Sequence, residues 1–223
     1  MSLKKTSILF DCDGVLVDTE IMAARVVVRE LAKVGVELDI HQYMKEFSGR
    51  KDTEIIAHFQ EVSKGKVPKD FFHTIEKGFD RAYETELEII PGAESLLASI
   101  QIPKAVVSNS SLQRLSYALN ATKLIRFFDP HKLYSAEFVP KPKPDPDIYL
   151  WALQQTGFDR ESTIAIEDSF AGVTAAVAAG LTVLGFCGAS HIQEGHAEKL
   201  LQIGAFATAK TMDELGRLIQ DLT

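Results

Sequence analysis

Two cysteines, Cys12 and Cys187, are all that the chain carries. Both adjoin apolar runs that read as strands, so neither a disulfide framework nor a zinc site is expected. Small buried thiols in a reducing compartment fit better. Positive charge is also scarce: 24 Lys and Arg face 31 Asp and Glu, for a net charge of -7. Such a chain gains nothing from general attraction to nucleic acid or to anionic membranes, and neither is an expected partner. An anionic ligand must instead be held by a few local donors. The first ten residues, MSLKKTSILF, have no long apolar region and no small-residue cleavage site, so no signal peptide is expected. Long hydrophobic spans are missing too. The uncharged stretch 170–189 contains six Gly or Thr residues, with Gly180 near its middle. Its first half is Ala-rich and helix-like, and its second, LTVLGF, is strand-like. A buried helix–turn–strand is expected there rather than a membrane span, and the protein is expected to be cytoplasmic. There are no repeats and no low-complexity tracts.

What remains is an ordinary globular composition, 46% hydrophobic and 25% charged over 223 residues. That length supports one core with a modest insert. SILFD (7–11) is a short apolar run ending at an aspartate and reads as a buried strand. After a Gly-containing turn come helical patterns at about 20–34, 41–47, 52–62 and 68–87, with Gly35 as a C-cap. Between 20 and 88 no strand pattern occurs, and the charges and aromatics recur at helical spacing, as in a small bundle. From residue 90 the character changes. Strand patterns in KAVVSNS, 133–135, TIAIED, LTVLGF and AFATA alternate with helices at 93–100, 112–120, 147–156, 171–179 and 212–222. Strands alternating with helices predict a parallel sheet covered on both faces. The expected fold is therefore α/β, a Rossmann-like parallel sheet formed by residues 1–15 and 90–223. A helical cap domain, 16–89, is inserted after the first strand.

Ligands of open parallel sheets bind beyond the carboxyl ends of the strands. The first strand ends in Asp11, with Asp13 two residues on. The second ends in Ser108-Asn109-Ser110. The loop after the third carries Lys141 and Lys143, and the fourth ends in Glu167-Asp168. Each piece alone has a commoner explanation: surface carboxylates, a turn, a solvated lysine, or an N-terminal helix charge. Together they supply carboxylates from two strands, hydroxyl and amide donors from another, and an ammonium, which metal-assisted phosphoryl transfer requires.

Asp11-Cys-Asp-Gly-Val-Leu-Val-Asp-Thr-Glu20, VVSNS, Lys143-Pro-Asp-Pro-Asp-Ile-Tyr149 and Ala165-Ile-Glu-Asp-Ser-Phe-Ala-Gly172 resemble, in order and spacing, the four motifs of the haloacid dehalogenase superfamily. The helical insert fits the subgroup of β-phosphoglucomutase and sugar-phosphate phosphatases. The resemblance implies that Asp11 is a nucleophile forming an aspartyl phosphate and that Asp13 is the general acid/base. It implies a Mg²⁺ ion held by Asp11, the Asp13 backbone carbonyl and Asp168, with Glu167 as a further ligand, direct or through water. Ser108, the Asn109 backbone and Lys143 would bind the phosphate. Lys141 fits a looser form of the third motif, and Lys143 the longer one. Asp18 and Glu20 are expected to cap or orient the first helix of the insert, and Arg50 and Lys51 either contact substrate or are a solvated turn.

Three activities fit such a chain. Asp13 speaks against a dehalogenase, whose halide leaving group needs no proton. A mutase of this subgroup has a His where this chain has Ala23, and an Arg that falls at Asp52 here, with Arg50 nearby. A Mg²⁺-dependent phosphatase is therefore the main expectation. Its partner is a small-molecule phosphate ester, and the enzyme is expected to be a monomer. A phosphomutase is the alternative, and a catalytically silent binding module on the same fold is a second. GFCGASH and the short cap resemble phosphatases of sugars and sugar acids, with 6-phosphogluconate among the candidate substrates.

Overall fold

The computed structural model describes residues 4–47, 52–63 and 65–223. Two compact units result: Met1–Asp18 with Ile89–Thr223, and Thr19–Glu88. Arg50 and Lys51 lie outside the described residues.

Among the described residues the first unit holds a six-stranded sheet. Its strands are β1 (Ser7–Phe10), β2 (Lys104–Ser108), β3 (Leu133–Ser135), β4 (Thr163–Glu167), β5 (Thr182–Phe186) and β6 (Ala207–Ala209). Their order is β3-β2-β1-β4-β5-β6, and every pairing is parallel. This is the doubly wound order, whose direction of winding reverses beside β1 and leaves a crevice at the carboxyl ends. β1 is central and pairs through Leu9 with Ala105 on one side and with Ala165 on the other. With both neighbours in place and both faces covered, all four of its residues are buried. An unbroken apolar run is thus what a strand in this position needs.

Helices α5 (Ala93–Ser99), α6 (Leu112–Ala121), α7 (Asp147–Thr156), α8 (Phe170–Ala178), α9 (His196–Ile203) and α10 (Met212–Leu222) complete this unit. One buried cluster joins Leu9, Val107, Ile148, Tyr149, Val173 and Val183, so the sheet and helices α7 and α8 share a core. The stretch 170–189 is α8, a turn at Gly180 and β5, the helix–turn–strand expected of it, and no described helix is long and apolar enough to cross a membrane. Cys12 is buried, Cys187 is half-buried, and both are free thiols. Helix α9 has no counterpart in the expected pattern. It is eight residues long and its N-cap is Gly195 in the left-handed region rather than a Ser, Thr or Asp, so the usual start signal is missing.

Among the described residues the second unit has four helices: α1 (Thr19–Lys33), α2 (Ile40–Phe47), α3 (Asp52–Val62) and α4 (Phe71–Thr85). Val27, Leu31, Tyr43, Phe47, Phe59 and Ile75 form its core. Arg25 reaches Glu88 at 2.6 Å and Arg29 reaches Glu86 at 2.7 Å across its surface. The helices are those that the periodicity predicts, apart from a shorter α4.

Candidate active site

Asp11 follows β1 by one residue, and its N–H donates to the carbonyl of Ile166 on β4 at 2.9 Å. That bond continues the sheet ladder to the rim and then releases the chain. The next residues turn tightly: Leu16 N–H bonds back to Cys12 O at 2.8 Å and Gly14 N–H to Val17 O at 2.8 Å. Gly14 has φ +80°, and a Cβ there would stand 1.9 Å from Asp168 Oδ2. Glycine is required on both counts.

The loop after β3 returns Lys143 to the same rim. Lys143 Nζ donates to Asp11 Oδ1 at 2.8 Å, to Glu167 Oε1 at 2.6 Å and to the carbonyl of Val107 at 2.8 Å. Three acceptors take up all three ammonium protons. Burial works against the ammonium, but Asp11 and Glu167 more than offset it, and the Lys143 pKa rises above its ordinary value. Lys141 is elsewhere: 65% exposed, it meets Asp145 at 3.4 Å.

Glu167 ends β4 and is wholly buried. Its Oε1 accepts from Tyr149 OH at 2.6 Å as well as from Lys143, and its Oε2 is 3.4 Å from Ser169 Oγ. The third residue into α8, Gly172, leaves it room, since a Cβ would stand 2.0 Å from the carboxyl carbon. Asp11, Glu167 and Asp168 each present an oxygen within 4.8 Å of the others. Burial, together with Glu167, Asp168 and Asp13, holds the Asp11 carboxyl well above the usual range, and Lys143 only partly counters this. An all-oxygen set of three buried carboxylates, with one of them made basic, fits a hard divalent cation.

Asp13 sits beside this cluster. Its Oδ2 accepts from Ser108 Oγ at 3.1 Å and from Ser110 Oγ at 2.8 Å. Ser108 Oγ in turn accepts from the N–H of Ser110 at 3.0 Å. The Ser108 hydroxyl therefore spends its single proton on Asp13 here. The Asn109 side chain is engaged with the lysine loop: Nδ2 donates to Lys143 O at 3.2 Å and Oδ1 accepts from Lys143 N at 3.0 Å. Its backbone N–H makes none of these bonds.

The structure thus brings Asp11, Asp13, Ser108, Asn109, Lys143, Glu167 and Asp168 to one rim. Asp18 is shown accepting from Ser190, through N at 3.1 Å and Oγ at 2.8 Å. Several residues around the site were given no individual role from the sequence. Ser110 ended the second motif among its hydroxyl and amide donors, and Tyr149 and Gly172 closed the third and fourth. His191, whose Nε2 is 3.1 Å from Asp168 Oδ2, lies outside all four.

Residues 8–186 match the family described as haloacid dehalogenase-like hydrolase. The chain belongs to that family and is an enzyme, a hydrolase. The 6-phosphogluconate phosphatase of Escherichia coli K12 is 32% identical over 190 residues, covering 83% of this chain and 84% of that protein. The phosphorylated carbohydrates phosphatase of Thermotoga maritima is 28% identical over 219 residues, covering 95% and 97%. Among solved structures, a hydrolase of the same family from Deinococcus radiodurans, with bound phosphate and sodium, superposes with a TM-score of 0.88. It is 31% identical, with 98% of this chain and 96% of that one covered.

Proposed function

We propose that this chain is a Mg²⁺-dependent phosphatase that hydrolyses a small phosphate monoester through an aspartyl phosphate on Asp11. The phosphatases among its relatives support the class, a phosphoric monoester hydrolase. One observation carries the mechanism: the Asp11 carboxylate is held by Lys143 at the rim of β1, with a second carboxylate, Asp13, oriented by two serine hydroxyls beside it. In this reading the buried carboxylate attacks and the other handles a proton.

In this reading Asp11 attacks phosphorus while Asp13 protonates the departing alkoxide. Asp13, protonated at the outset and a carboxylate after that step, then takes a proton from the water that hydrolyses the acyl phosphate, which returns Asp11 to its carboxylate and Asp13 to its acid form. Lys143 keeps Asp11 aimed and adds positive charge where the phosphoryl group gathers negative charge. The Ser108 hydroxyl turns from Asp13 to a phosphoryl oxygen, and the Asn109 N–H donates to another. Asp11, Asp168 and the Asp13 carbonyl would hold the Mg²⁺, with Glu167 contributing through Oε2, since Oε1 is taken by Lys143 and Tyr149. When bound, the ion offsets the charge of nucleophile and phosphate so that two anions can meet.

Residues 16–89 are the cap in this reading and would set specificity. The substrate class is a sugar or sugar-acid phosphate, 6-phosphogluconate in the first place, because the Escherichia coli relative bears that name. The enzyme is expected to act as a cytoplasmic monomer. An array of metabolite phosphates with Mg²⁺ tests this, with p-nitrophenyl phosphate and β-glucose 1-phosphate included. The expected result is highest kcat/KM on a sugar or sugar-acid phosphate and no turnover by Asp11→Asn. No turnover of any ester by the wild type would overturn the enzymatic reading. Conversion of β-glucose 1-phosphate to an isomer without phosphate release would establish the mutase instead.

A further inference from the structure

The segment 188–196 carries two histidines that both bear on Asp168. His191 Nε2 lies 3.1 Å from Asp168 Oδ2, and His196 Nε2 lies 2.6 Å from the backbone carbonyl of Asp168. A carbonyl oxygen only accepts, so His196 donates there. Its ring is fixed by stacking on Phe170, with centroids 4.6 Å apart and planes at 28°. The His191 ring meets that of His196 edge-on at 6.5 Å. The loop between β5 and α9 is itself tied down. Ser190, next to His191, donates through both its N–H and its hydroxyl to the two oxygens of buried Asp18. Gly14 closes the other side of Asp168 Oδ2, near enough that a Cβ would overlap it and stand 3.1 Å from His191 Cε1.

A carboxylate with one oxygen fenced in this way presents the other in a restricted orientation. We infer that His191 is a positioning residue for the cation. By donating from Nε2 to Asp168 Oδ2, it fixes the carboxylate so that Oδ1 is directed at the acidic cluster. His196 holds the main chain of the same residue, and Asp18 anchors the loop through Ser190. This inference rests on the assignment of Asp168 as a Mg²⁺ ligand. Partners that orient a ligating side chain contribute about 10–100-fold to metal affinity. His191 Nε2 stands 3.1 Å from Asp168 Oδ2, so its removal takes away the partner that this inference gives to that oxygen.

The test is calorimetric titration of Mg²⁺ into the metal-stripped full chain, alongside its thermal unfolding without metal. His191→Ala should weaken Mg²⁺ binding by about tenfold with unfolding close to that of the wild type. His191→Gln, whose amide N–H can replace the Nε2 donor, should restore most of the affinity. A purely structural role would move the unfolding temperature instead and would not be rescued by Gln. Should His191→Ala fail to fold, the Gln variant compared with His191→Phe, which keeps the ring and lacks the donor, makes the same distinction. Unchanged affinity in the variants lacking the donor would overturn the inference. So would tighter binding, which would mean that His191 competes with the ion, or a Gln variant as weak as Ala. Asp168→Asn separates the two levels. A wild type that binds Mg²⁺ no better than Asp168→Asn overturns the metal assignment itself, and the inference with it.

Discussion

Lys143 is the residue whose loss the structure prices most clearly. Its side chain is 4% exposed and it neutralises two carboxylates, Asp11 at 2.8 Å and Glu167 at 2.6 Å, of which Glu167 has no exposure at all. Lys143→Met keeps much of the stem volume and removes the charge. Two buried carboxylates are then left without their cation, and breaking a buried pair from one side costs about 3–5 kcal/mol. A domain of this size loses roughly 2–4 °C of Tm per kcal/mol, so metal-free protein at neutral pH should melt roughly 6–20 °C lower. Lys141→Met is the control. Lys141 meets Asp145 at 3.4 Å with both side chains largely in water, and its loss should cost no more than about 0.5 kcal/mol. Urea and thermal denaturation of the three proteins give the comparison. The pH dependence of the deficit has a definite sign. Lys143 is the one influence that lowers the Asp11 pKa, so its removal lets that carboxyl take up a proton more readily. The deficit should therefore shrink in mild acid. A deficit under about 1 kcal/mol, or one equal to that of Lys141→Met, would refute the argument that Lys143 compensates this cluster.

Three further outcomes follow from the same geometry. Gly172→Ala places a methyl carbon 2.0 Å from a carboxyl group held by Lys143 and Tyr149; urea denaturation should show a loss of about 1–3 kcal/mol, and wild-type stability would contradict it. Burial and its acidic neighbours raise the Asp11 pKa, so between its ordinary value near 3.8 and the raised folded value the native state holds the extra proton. The carboxyl's destabilising effect on metal-free protein is then present at neutral pH and fades as pH falls through that folded value, so stability relative to Asp11→Asn should improve on acidification; a difference that ignores pH would count against it. Burial pushes both thiols up, Cys187 to about 11, so iodoacetamide at neutral pH should modify them quickly only after unfolding.

Much of this molecule was legible in its sequence because its strongest constraints are local. A strand buried on both faces must be apolar throughout, so SILF and TIAIE announce themselves, and the carboxylates that end those runs mark the rim. Helix periodicity likewise exposed the four-helix unit. What escaped notice depends on contacts and conformations that the residue pattern does not show. Gly172 reads as an ordinary helix residue until Glu167 is seen against it. Ser110 reads as a turn until it is found sharing Asp13 with Ser108. His191 lies 23 residues beyond Asp168 and reaches it only through the return of β5, and helix α9 starts on a glycine that gives no cap signal. The match to the family covers residues 8–186 and stops short of the 188–196 loop.

The central claim is that Asp11 carries the phosphoryl group during turnover. Acid quenching in the steady state, borohydride reduction and peptide mass mapping test it directly, because an aspartyl phosphate is reduced to homoserine. The predicted result is homoserine at position 11 alone, dependent on substrate and Mg²⁺ and absent from Asp11→Asn. Turnover by Asp11→Asn at the wild-type rate, or a phosphoryl group trapped on another residue, would contradict it.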